Sequence, residues 1–80
     1  MKTRKAVQYR IDGENEAFDT LKDAKYHIWF AYTDNERIRY FGKEPSYILG
    51  IDREGEIVSI TEIKVNNKGK ESFGKTMRYV

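Results

Sequence analysis

The stretch Phe18-Asp19-Thr20-Leu21-Lys22-Asp23-Ala24-Lys25-Tyr26-His27-Ile28-Trp29-Phe30-Ala31-Tyr32-Thr33-Asp34 is the segment of this chain whose spacing demands a helix. Thr20 is a good N-cap, since its hydroxyl can accept from the free amide of Asp23, whose carboxylate reaches back toward the cap. Asp19 and Asp23 add negative charge beside the positive end of the helix dipole. At about 100° per residue, Leu21, Ala24, Ile28, Ala31 and Tyr32 fall within one arc, the expected core face. Trp29 lies on its flank, and the i, i+4 pair Tyr26 and Phe30 lies nearly opposite. A helix resting on a sheet should be polar there. Loops or a terminal strand could cover these rings, or they could sit singly at the surface. They could also form a homodimer seam or docking site, or a base-stacking platform for single-stranded nucleic acid. Tyr26, Trp29 and Phe30 are the candidate protein-interaction residues.

Outward from the helix the chain reads as strand and turn. Arg4 to Ile11 alternates, with Val7, Tyr9 and Ile11 on one side and Arg4, Gln8 and Arg10 on the other. Asp12 to Glu16 is a turn, from which Ala17 and Phe18 lead into the helix. Its alternating acids are out of register with a calcium loop and read as a solvated acidic loop. Asp34 and Asn35 are expected to end the helix. Glu36 to Phe41 then alternates as a strand, with Ile38 and Tyr40 inward and Arg37, Arg39 and Phe41 outward. Gly42 to Pro45 is a turn. Tyr47 to Ile51 and Glu56 to Val65 form a hairpin around Asp52-Arg53-Glu54-Gly55, whose glycine suits a left-handed position. The parity of apolar residues in the second arm predicts a bulge or change of face near its middle. Asn66 to Lys70 is a further turn, and Ser72 to Val80 a last strand with Phe73, Met77 and Tyr79 on one face.

The segment Phe18-Asp19-Thr20-Leu21-Lys22-Asp23-Ala24-Lys25 resembles the helix entry of various small phage, prophage and mobile-element proteins, in which an aromatic residue and a Ser/Thr cap lead into a Leu-x-x-Ala-Lys helix. The resemblance covers about a tenth of the chain. It implies a small bacterial or phage accessory protein and brings no catalytic residues with it.

Eighty residues without cysteine, 35% of them charged, make one soluble domain spanning 1–80, whose stability must come from a single core. The basic N-terminus lacks the apolar region of a signal peptide, and no run approaches a membrane span, so a cytoplasmic location is expected. The net charge of +2 is segregated: residues 1–10 and 64–80 each carry +4 and the middle carries −6. If the terminal strands met, they would form one basic patch. Arg4, Arg10, Lys75 and Arg78, with Arg37 and Arg39 as helpers, are therefore the candidates for weak nucleic-acid binding. Solubilising, anti-aggregation charge on terminal or edge strands is the reading favoured for them.

Catalytic chemistry is hard to assemble from these residues. His27 is the lone histidine and is expected to be half-buried and hydrogen-bonded. Neither a histidine–thiolate metal set nor a phosphate-cradling glycine loop is encoded. No catalytic residue, metal, cofactor or small-molecule substrate is expected, and the chain is read as non-enzymatic. The expected fold is α+β, an antiparallel sheet of four to five strands with one helix on a face, in the order β-α-β-β-β-β. The expected core is Val7, Tyr9, Ile11, Phe18, Leu21, Ala24, Ile28, Ala31, Ile38, Tyr40, Ile48, Ile51, Ile60, Ile63 and Phe73. The expected function is a protein-interaction or self-association module, with nucleic-acid binding through the basic strands as the alternative.

Overall fold

The computed structural model describes residues 5–78. Its class is the α+β expected, but it holds two helices, on a curled antiparallel sheet, in the order β-β-α-α-β-β-β-β. β1 (Gln8–Ile11) pairs with β2 (Ala17–Phe18) on one edge and β3 (Ser46–Ile51) on the other. β4 (Ile57–Val65) follows β3, and the other edge of β4 takes β5 (Glu71–Phe73) and β6 (Met77–Arg78). The sheet order is β2-β1-β3-β4-β5.

α1 (Leu21–Ala31) begins where its cap predicts, with Thr20 Oγ1 accepting from the Asp23 amide at 3.1 Å. It ends three residues earlier than expected. Tyr32 and Thr33 are extended, and α2 (Asp34–Phe41) starts at once. This corrects the strand expected over Glu36–Phe41. Thr33-x-x-Glu36 is a full capping box: Thr33 Oγ1 accepts from the Glu36 amide at 3.2 Å, and Glu36 Oε1 accepts from the Thr33 amide at 2.8 Å. The helical period then regroups the side chains. Arg37 and Phe41, four residues apart, differ by only about 40° around the axis. Both turn inward, each 6% exposed, whereas Tyr40, expected in the core, is 55% exposed and Ile38 is half-buried.

The core joins Ile11, Ile48 and Ile63 of the sheet to Ala24 and Ile28 of α1 and Phe41 of α2, with Tyr9, Phe18, Leu21, Tyr32, Val65 and Phe73 around them. The alanine at 24 lets α1 lie close to the strands. Val7 and Ala31, expected inside, are exposed, because β1 begins only at Gln8 and α1 stops at Ala31.

The β3–β4 and β4–β5 hairpins turn through the same five-residue device. In Asp52–Glu56 the Asp52 Oδ1 accepts from the amides of Glu54 and Glu56, and in Asn66–Lys70 the Asn66 Oδ1 accepts from those of Lys68 and Lys70. The fourth residue is Gly55 in one and Gly69 in the other, at φ +82° and +87°. The irregularity expected near the middle of β4 is a bulge near its start, at Val58, which lies between the pairs Gly50–Ser59 and Ile51–Ile57. A second slip of one residue separates β5 from β6. Phe73 therefore pairs with Ile63 over the core, while Met77 pairs with Ile60 and points to the other face, 62% exposed. Phe73 and Met77 thus do not share a face, and Tyr79 lies outside the described residues.

Candidate protein-interaction face

With Ala24 and Ile28 turned to the sheet, the helical period leaves Tyr26, Trp29 and Phe30 on the far side of α1. They are 56%, 53% and 69% exposed. Neither loop nor terminal strand among the described residues covers them. The rings form one cluster: Tyr26 stacks on Phe30 at 5.6 Å with 10° between planes, and Trp29 lies 5.5 Å from Tyr26 and 6.4 Å from Phe30. Beside it, Tyr26, His27, Phe30 and Phe18 line a shallow cavity of about 390 Å³ whose rim carries Asp19 and Asp23.

A chain of rings leads from that cavity to the other end of α1. His27 is half-buried between Phe18, at 4.9 Å, and Tyr32, at 5.7 Å. Tyr32 meets Tyr40 and Phe41 edge-on at 5.9 and 5.2 Å. The Tyr32 hydroxyl donates to Glu14 Oε2 in the loop between β1 and β2. Burial, this hydrogen bond and the negative charges of Glu14, Glu16 and Glu36 push the Tyr32 phenol well above the usual tyrosine range. No comparison assigns this arrangement a role: family models, curated proteins and solved structures all return no match to the chain.

Arg37, expected among the outward bases, is instead buried between the helices and the β4–β5 turn. Its Nε donates to Gly69 O at 2.6 Å, and one terminal nitrogen donates to the carbonyls of Tyr32 at 2.6 Å, Trp29 at 2.8 Å and Ile28 at 3.4 Å. The other pairs with Asp34, and Glu71 stands 3.8 Å from Nε. α1 has no base in its own last turn, so Arg37 supplies from α2 the cation its C-terminal carbonyls favour. Such a guanidinium is spent on the fold and is not available to phosphate. The capping box was the signal in the sequence that would have placed it on a helix.

The remaining bases are dispersed. Arg10, Arg39, Lys75 and Arg78 are exposed, and Arg4 lies outside the described residues. β1 and β6 are separated by β3 and β4, so Arg10 and Arg78 do not meet along the sheet. Arg10 and Arg78 also fall on opposite parities, Arg10 in the row of Leu49, Ile60 and Met77, and Arg78 in that of Tyr9, Gly50 and Ser59. Among the described residues there is no cluster of three His, Asp or Glu placed to hold a metal ion, and no helix is long and apolar enough to cross a membrane.

Proposed function

We propose that this chain is a non-catalytic protein-interaction module that works through the outer face of α1 and self-associates weakly there. The observation that carries the reading is the contiguous Tyr26–Trp29–Phe30 cluster, more than half exposed on a helix whose opposite face packs Ala24 and Ile28 into the core. Exposed clusters of large aromatic rings are enriched at interfaces and cost solubility elsewhere.

The size of the cluster sets the strength. An aromatic side chain presents about 150–250 Å² when fully covered. Three half-exposed rings therefore offer roughly 300–400 Å², against about 800 Å² per partner in a stable interface. Pairing of two copies through the rings alone is weak, and a tight partner must reach past them. Nucleic-acid binding draws less support, because Arg37 is internal and Arg10 and Arg78 lie on opposite faces of the sheet.

Trp29 is the sole tryptophan and sits inside the face, so it reports directly. Its emission should shift to the blue as protein concentration rises, and Phe30→Asp should abolish the shift while leaving the helical circular dichroism intact. Emission independent of concentration, or a Phe30→Asp variant that no longer folds, would count against the reading.

A further inference from the structure

Immediately beyond Ala31, the last residue of α1, the β1–β2 loop and the two helices enclose an open groove of about 460 Å³. Its floor and walls are the rings of Tyr32, Tyr40 and Phe41, and its rim carries the carboxylates of Asp12, Glu14 and Glu36. Among the described residues no lysine or arginine lines it. The rings stand nearly at right angles, Tyr32 to Phe41 at 89° and Tyr32 to Tyr40 at 67°. Phe41, 6% exposed, forms the floor, and the rings a ligand can reach are those of Tyr32 and Tyr40, set at 67° to each other; aromatic rings set at an angle are how proteins cradle organic cations. The acid-rich rim adds a field of the same sign, felt at the Tyr32 hydroxyl.

The geometry points to this groove as the receptor for an arginine or lysine side chain of a partner protein whose apolar part covers Phe30. The inference rests on the proposed role of the α1 outer face and names the chemistry of what binds there. A guanidinium or ammonium on an apolar stem satisfies rings and carboxylates together. A neutral apolar group would bring no charge to balance the rim, and an anion would be repelled. Ala31 lines the groove and Phe30 precedes it in α1, about 100° away around the axis, so a partner reaches both by crossing the C-terminal end of the helix. A basic segment crossing there would add contact area that the three rings lack. The cost of occupancy is small: the groove is already open, and Glu14 is held in place by its bond from Tyr32.

The test is a titration of the isotope-labelled protein with Nα-acetyl-arginine amide at low ionic strength, followed by amide chemical shifts, beside the isosteric, uncharged Nα-acetyl-citrulline amide. Saturable shifts confined to the neighbourhood of Glu14, Tyr32, Glu36 and Tyr40, and absent with citrulline, are expected. Glu14→Gln keeps an acceptor for Tyr32 but removes a charge, and should weaken the arginine derivative about three- to tenfold, the effect of one partly screened charge. Tyr40→Ala, at an exposed position, should weaken it similarly. Equal responses to the two compounds, shifts scattered over the surface, or affinity unchanged in both variants would overturn the proposal. Groove shifts that follow protein concentration alone, with no response to the arginine derivative, would give the site to a second copy and also overturn it. Phe30 does not line the groove, so Phe30→Asp should bind the arginine derivative normally. Loss of self-association and loss of cation binding are therefore separate results.

Discussion

The Nε of Arg37 donates to the carbonyl of Gly69 at 2.6 Å, tying the start of α2 to a turn 32 residues away in the chain. The same guanidinium holds the last carbonyls of α1. Two helices and the β4–β5 hairpin thus share one cation.

Removing that cation should be costly. Arg37→Met would strand the Ile28, Trp29, Tyr32 and Gly69 carbonyls and leave Glu71 unbalanced, a loss of roughly 3–5 kcal/mol. Total stability for a domain of this size is about 4–12 kcal/mol. Arg37→Lys should lose most of the same amount, because one ammonium cannot reach all these acceptors. Urea melts measure both, and a wild-type midpoint for the lysine variant would remove the hub.

Gly69 and Gly55 occupy equivalent turn positions, yet they should respond differently to alanine. Positive φ alone costs about 1–2 kcal/mol, and a Cβ on Gly55 meets open space. On Gly69 it would run into the Asp34 carbonyl and side chain. Gly69→Ala should therefore be clearly the more destabilising of the two in thermal melts. Equal costs would contradict the close approach of hairpin to helix.

The capping box should be worth measuring on its own. Thr33→Ala removes the acceptor for the Glu36 amide and should cost about 1 kcal/mol. Because α2 has only eight residues, its amides should also lose hydrogen-exchange protection before those of α1. Uniform loss over both helices would show that they open as one unit.

Tyr32 gives the fold an alkaline signature. Its phenol is held protonated by burial and by the Glu14 bond, so its folded value lies above its unfolded one. A group shifted this way contributes stability that is complete below the unfolded tyrosine value, about pH 10, and is lost as pH rises through the folded value. Wild type should lose stability more steeply above about pH 10 than Tyr32→Phe does. Parallel curves would mean that the hydroxyl is not held as described.

The first helix and the second make an instructive contrast. α1 could be read from residues 18–34 because a cap and a 3.6-residue apolar period agree, and the same wheel exposed Tyr26, Trp29 and Phe30. α2 carries an equally clear cap in Thr33 and Glu36. Asp34 and Asn35, however, also suit a helix end, and Ile38 and Tyr40 alternate with charged residues as in a strand. Over six residues, periods of 2 and 3.6 are poorly separated. What decides between them is tertiary: Phe41 completes the core, and Arg37 finds its acceptors in α1 and in a distant turn. No local pattern announces a buried arginine. The groove beyond Ala31 was hidden for the same reason, since its walls come from a segment expected to be a strand.

The central claim is that the outer face of α1 is a contact surface, and light scattering behind a sizing column tests it most directly. Wild type and Phe30→Asp would be run side by side across a wide concentration series. The wild-type mass should rise above 9.5 kDa with increasing concentration, while Phe30→Asp stays monomeric with an unchanged melt. A wild type that holds the monomer mass throughout, indistinguishable from Phe30→Asp, would contradict the claim.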